Sequence, residues 1–171
     1  MIWKILSKIT FGVLIMSLLG ACKINYSFTG YNTTAETLYV GSFYNIAGQG
    51  PATLGYNFTE RLKEYYQQNS PLQIVNNQGE ADLVIEGAIV GFTVTPIAAT
   101  GNDQTAFNRL TITVNVDYKN FKEENKDFKQ SFSFYADFEQ RQTLTQVQDE
   151  LSNRIFEQIA FDIFNKTVAD W

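Results

Sequence analysis

Few residues in this chain could carry chemistry. It contains no histidine and one cysteine, Cys22. Without an imidazole there is no proton shuttle of near-neutral pKa, no Ser-His-Asp arrangement and no histidine metal ligand. A pair of carboxylates acting as acid and base remains formally open. Asp82 and Glu86, on an expected central strand, are the candidates on offer, and they read as ordinary edge or end charges. No catalytic residue, metal ligand or cofactor is therefore expected. The reactive group with a readable context is the Cys22 thiol.

That context is the start of the chain. Met1 to Lys8 carries Lys4 and Lys8 and no acid, and Ile9 to Leu19 is an uninterrupted stretch of mostly apolar residues. Such a run suits the hydrophobic region of a secretory signal and is too short for a stable membrane-spanning helix. It ends in Leu19-Gly20-Ala21-Cys22, which resembles the lipobox of bacterial lipoproteins. The resemblance implies cleavage after Ala21 and acylation of Cys22, with residues 1–21 removed as signal peptide. The competing reading is a short core helix followed by a buried cysteine. It requires a basic-then-apolar leader and a small-small-Cys exit to coincide at the chain start. A lone cysteine in an exported protein has no internal disulfide partner and needs another use. Several buried acyl chains, at about 0.8 kcal/mol per CH₂, make a lasting anchor.

Two of the thirteen basic residues and none of the eighteen acids lie in the leader. The remainder thus holds eleven basic residues against eighteen acids, a formal charge of −7. That balance disfavours nucleic acid as a partner. What remains is long enough for one domain with its own core, and 14 Phe with 9 Tyr exclude a disordered spacer.

The elements that must position any site follow from periodicity. Residues 22–36 are polar and aperiodic and read as a lipidated tether, leaving 37–171 as one domain. Thr37 to Phe43 is rich in β formers. Leu54, Phe58, Leu62 and Tyr65 recur at helical spacing with Thr53 as the expected N-cap, and the helix should stop before Asn69. Leu72 to Val75 reads as a short strand. Asp82 to Thr95 is apolar on both alternating faces, as in a strand buried on two sides. Pro96 to Phe107 reads as a loop. Leu110, Ile112, Val114, Val116 and Tyr118 then alternate with polar residues. Lys122 to Asp127 is a charged hairpin tip, and Phe128, Phe132, Phe134 and Phe138 line one face of the returning strand. A long helix from about Thr145 to Ala169 closes the chain, with Thr145 and Gln148 forming a capping box and Leu144 just outside it. Its broad apolar stripe suits a helix laid flat on a sheet. The order predicts an α+β fold.

The chain resembles the LPS-assembly lipoprotein family (LptE) in its Bacteroidetes form. The resemblance rests on the lipobox, Gly87 to Gly101, Asn108 to Val116, the Lys126-Asp127-Phe128 turn and Asp162 to Lys166 before Trp171. The stretch from Val94 to Leu110 is its most specific part. It implies a two-layer sandwich, a mixed sheet of about four strands covered by two helices. It also implies a non-catalytic lipoprotein on the periplasmic side of the outer membrane. There it would plug the barrel LptD and help deliver lipopolysaccharide to the outer leaflet. Lys23 does not resemble the aspartate that retains lipoproteins in the inner membrane, and Lys23 to Ser27 lacks the acidic cluster of a surface-export signal.

The expected contact with the barrel or with lipopolysaccharide is the loop Pro96–Phe107 and its flanks, in particular Thr95, Pro96, Thr100, Gly101, Asn108 and Arg109. The loop is long, polar and in the most family-like block, and long ordered loops often carry function. It reads equally well as a solvated connector. Arg109 is the candidate anion contact, because lipopolysaccharide presents phosphates beside acyl chains. Lys119, Lys122, Lys126 and Lys129 are largely cancelled by Glu123, Glu124 and Asp127. The Phe row is more simply core than an acyl-chain surface. Two other functions stay open: a stand-alone carrier of lipid or glycan, and a carboxylate-pair glycosidase.

Overall fold

The computed structural model describes residues 33–97 and 106–168. The signal segment with Leu19, Gly20 and Ala21, the lipidation candidate Cys22, and the loop residues Thr100 and Gly101 lie outside the described residues. In chain order the elements are β1 (Thr37–Val40), β2 (Tyr44–Asn45), α1 (Leu54–Asn69), β3 (Gln73–Val75), β4 (Leu83–Ile97), β5 (Phe107–Asn120), β6 (Phe128–Glu139) and α2 (Leu144–Val168). One mixed, unclosed sheet runs in the order β3-β1-β4-β5-β6, with β2 also on β4. Strands β1, β2 and β3 pair in parallel; β4, β5 and β6 form an antiparallel meander. Both helices pack on the sheet, giving the expected α+β sandwich.

The sheet has six strands rather than about four. The additions are short. The stretch expected as one strand over 37–43 divides because the Phe43 N–H donates to the Thr59 hydroxyl on α1, at 2.9 Å, instead of to a neighbouring strand. The backbone rejoins β4 at Tyr44. Ala35, in the expected tether, is already buried.

Strand β4 is not buried on two sides along its length. Its register against β5 slips between Ile89 and Gly91, a bulge that adds one residue. Before it, Leu83, Ile85 and Ile89 enter the core; after it, Phe92 does. The single apolar face therefore changes phase at Val90. A sequence read without the bulge looks apolar on both sides. Of the outward-facing β4 residues, Val84 alone is buried. On β5, Leu110, Ile112, Val114, Val116 and Tyr118 face the helices without interruption.

The core joins the two layers through rings. Phe43 meets Phe58 edge-on at 4.9 Å, and Phe58 meets Phe156 at 5.1 Å. Leu54, Phe58, Leu62 and Tyr66 form the buried stripe of α1, so Tyr66 takes the place expected of Tyr65, which is half-buried. A four-residue step overshoots the 3.6-residue turn only slightly, and either tyrosine satisfies the pattern. Thr53 occupies the N-cap of α1 with helical dihedrals and makes no side-chain cap. Leu151, Ile155, Phe156, Ile159, Ala160, Ile163 and Phe164 of α2 are buried as expected. Each large apolar side chain buried this way contributes about 1.5–3 kcal/mol.

The cap of α2 also differs from expectation. Gln146 Oε1 accepts from the Thr143 N–H at 2.9 Å and from its hydroxyl at 3.0 Å, and Gln146 N–H donates to Thr143 O. The box is Thr143 with Gln146, two residues before Thr145 and Gln148. Both pairs have the right spacing. Starting at Thr143 lets Leu144 and Val147 pack against the core.

Candidate functional site

Of the expected contact residues, Thr95, Pro96, Asn108 and Arg109 lie at one end of the β4–β5 hairpin. The expected loop is shorter than 96–107, because β4 continues through Pro96 to Ile97 and β5 begins at Phe107. Across the pair, Thr95 opposes Arg109, Pro96 opposes Asn108, and Ile97 opposes Phe107. Pro96 is tolerated on this side because among the described residues its strand has lost its parallel neighbours there. Thr95 and Pro96 are exposed, Asn108 and Arg109 half-buried. Val94 and Phe107 remain 40% and 38% exposed, so apolar surface accompanies the polar residues.

This tip is remote from the point where the chain enters the domain. Leu38 of β1 lies beside Leu83 at the start of β4. At about 3.3 Å per residue, Ile97 stands roughly 45 Å further along. The entry end is held by Asp82. Its Oδ2 accepts from the Glu36 N–H at 2.8 Å and the Thr37 N–H at 3.2 Å, and its Oδ1 pairs with Lys122 at 3.0 Å. The Glu36 N–H, with Lys122 and Thr37, holds the Asp82 carboxyl below the usual aspartate range. Asp82 is thus a clamp on β1. Glu86 sits beside Gly41, its side chain filling the space a Cβ there would need.

Arg109 is not a free cation. Its Nε and Nη2 donate to Asp137 Oδ1 and Oδ2 at 2.7 and 2.9 Å, and its guanidinium carbon lies 3.6 Å from the centre of the Tyr135 ring. The hydrogen bonds from Arg109 hold Asp137 below the usual carboxylate range. The pair was legible in principle. Hairpin pairing centred on Glu123 places position 109 opposite 137, and alternation puts both on the outward face. Three of the four hairpin lysines are also committed: Lys122 to Asp82, Lys126 to Glu123 and Lys129 to Asp117. The outward face between these ends is polar, with Thr113 and Ser133 hydroxyls 3.0 Å apart and Ser131 bonded to Asn115.

The Phe row divides. Phe132 and Phe138 are buried and Phe128 packs on the core, whereas Phe134 is 36% exposed at the sheet edge. Among the described residues, no cluster of three or more acidic or cysteine side chains could hold a metal ion. No helix among them is long and apolar enough to cross a membrane.

A family model described as LptE, lipopolysaccharide-assembly, matches residues 35–167. Among solved structures, a Xanthomonas campestris protein is 10% identical with a TM-score of 0.53, over 81% of this chain and 86% of that one. A Chlamydia trachomatis protein described as hypothetical is 11% identical with a TM-score of 0.51, over 79% and 99%. The rare lipoprotein B from Shewanella oneidensis is 13% identical with a TM-score of 0.49, over 76% and 92%. At these identities the first two show a likeness of fold alone. No curated protein matches the chain.

Proposed function

The chain belongs to the LptE lipopolysaccharide-assembly family, and from that premise we propose that it is a lipid-anchored, non-catalytic subunit of the outer-membrane lipopolysaccharide translocon. In this reading Cys22 carries the acyl chains, the domain lies on the periplasmic side, and a β-barrel of the LptD type is the partner it plugs. The family match across the folded domain carries the reading. The geometry is consistent with it. A domain tethered where Asp82 clamps Glu36 and Thr37 extends its β4–β5 tip away from the anchor. Thr95, Pro96, Asn108 and Arg109, with Thr100 and Gly101 of the connecting segment, are then the residues proposed to meet the barrel or lipopolysaccharide. Arg109 acts there jointly with Asp137 and Tyr135 rather than as a lone cation.

The test is recovery of the tagged, lipidated protein from detergent-solubilised outer membranes after a high-salt wash. A large β-barrel retained in one-to-one ratio supports the plug reading, since an interlocked interface resists the screening that removes surface charge contacts. Substituting Pro96, Asn108 and Arg109 together should then lower barrel recovery. Recovery of the lipoprotein alone, with or without bound lipid, would overturn the plug reading in favour of a lipid or glycan carrier.

A further inference from the structure

Strand β6 is the free edge of the sheet: among the described residues it pairs only with β5. Beside it a groove of about 410 Å³ is lined by Phe134 and Tyr135 of β6, Arg154, Glu157 and Phe161 of α2, and Tyr65 of α1. Three of its rings are open to solvent: Phe134 at 36%, Tyr135 at 46% and Phe161 at 44%. Successive residues on a strand normally point to opposite faces. Yet the Phe134 and Tyr135 rings stack, 5.7 Å apart and 20° from parallel. Both rings must therefore lean out alongside β6. Arg109, its guanidinium carbon 3.6 Å from the centre of the Tyr135 ring, helps to hold that ring in place.

The groove also contains a free cation. Seven of the ten Lys and Arg side chains among the described residues are ion-paired, leaving Lys119, Arg154 and Lys166; Arg154, in the groove, makes no ion pair, hydrogen bond or ring contact among those residues. A guanidinium next to exposed aromatic rings is the composition of an interface anchor point, where Tyr, Trp and Arg dominate binding energy. An unpaired guanidinium calls for a planar anion, a carboxylate or a phosphate.

We propose that this groove docks a segment of a partner polypeptide, inserting an aromatic or aliphatic side chain between Phe134 and Phe161 and an aspartate or glutamate against Arg154. A peptide fits better than a phospholipid-like ligand. Glu157, one turn from Arg154, repels a multiply charged phosphate more than a single carboxylate, and the groove is an open trough rather than an enclosed acyl-chain sleeve. The partner contributes side chains rather than an added strand, because the two leaning rings cover the β6 edge at Phe134 and Tyr135. The inference rests on the barrel reading for the identity of that partner, which would be the barrel itself.

The test places p-benzoylphenylalanine at position 161 of the full chain, irradiates intact cells and sequences the adduct by mass spectrometry. The expected adduct is a barrel peptide with an acidic residue near the attachment point. Arg154→Glu should lower its yield about tenfold, Arg154→Lys should retain most of it, and replacing the partner's acid with Arg should restore it in the Arg154→Glu background. Arg154 is exposed, and an unchanged melting temperature confirms that the variants fold. An adduct on lipopolysaccharide, an adduct on a second copy of this chain, no adduct, or an adduct indifferent to Arg154 each overturns the proposal. A barrel that co-purifies without the adduct sinks this inference and leaves the barrel reading standing. An Arg154-dependent adduct on another protein, with no barrel co-purifying, does the reverse.

Discussion

Arg109 and Asp137 face each other across β5 and β6, joined by two hydrogen bonds of 2.7 and 2.9 Å and capped by the Tyr135 ring. The pair is solvent-accessible, so its energetic weight is small even though its geometry is bidentate. Arg109→Ala and Asp137→Ala should each lower the melting temperature slightly, and the double variant should be no worse than the poorer single one. Because Asp137 is held below its ordinary pKa, the contribution should fade as acid titrates it. A large loss from either single variant in a double-mutant cycle would contradict a surface pair.

Asp82 predicts a sharper pH dependence. Its folded pKa lies below the unfolded value of 3.8, so the ionised form favours folding. That stability is present above the unfolded pKa and is lost as pH falls through the lower folded one. Asp82→Asn should be less stable than the parent at pH 7, with the gap closing below pH 3.8. Melting curves across the acid range test this, and a gap that persists at the acid end would show that the clamp works through shape rather than charge.

Gly55→Ala sets helix propensity against packing. Alanine in a helix interior is favoured over glycine by about 1 kcal/mol. At position 55, however, a Cβ would press on the Phe43 carbonyl oxygen, and that backbone is held by the Phe43 N–H to Thr59 hydrogen bond. Overpacking of this kind costs about 1–3 kcal/mol. The variant should therefore be destabilised overall in urea titration, and a gain in midpoint would show that β2 and α1 can separate freely.

Tyr66 and Thr167 tie the end of α1 to the end of α2 through their hydroxyls, with burial holding the Tyr66 phenol above its ordinary range. The Thr167 hydroxyl also donates to Ile163 O at 2.9 Å. Tyr66→Phe leaves that bond in place and should cost about 0.5–1.5 kcal/mol. Thr167→Val strands a fully buried phenol and should cost about 1–3 kcal/mol. Chemical denaturation of the two variants gives the order; the reverse order would mean that Tyr66 finds another partner.

What could be read without a structure was whatever depends on local periodicity. The stripe from Leu151 to Phe164 and the alternation from Leu110 to Tyr118 determined that one helix and one strand bury those faces, because the 3.6- and 2-residue periods are properties of the backbone itself. The absence of histidine and the context of Cys22 pointed away from catalysis and toward an anchor for the same reason: they require only residue type and order. The phase change at Val90, the choice of Thr143 over Thr145 as cap, and the burial of Tyr66 rather than Tyr65 each had two locally equivalent solutions. Contacts from distant segments chose between them: β5 pairing fixed the bulge, core packing of Leu144 and Val147 fixed the cap, and the Thr167 hydroxyl took Tyr66. The same holds for the site. Sequence marked Arg109 as a charge, but only the β5–β6 register brought Asp137 to neutralise it, while the helix-on-sheet packing left Arg154, forty-five positions along the chain, beside exposed rings and without an ion pair among the described residues. Charges find or lack partners through tertiary distance, and one-dimensional spacing does not encode that distance beyond a few residues.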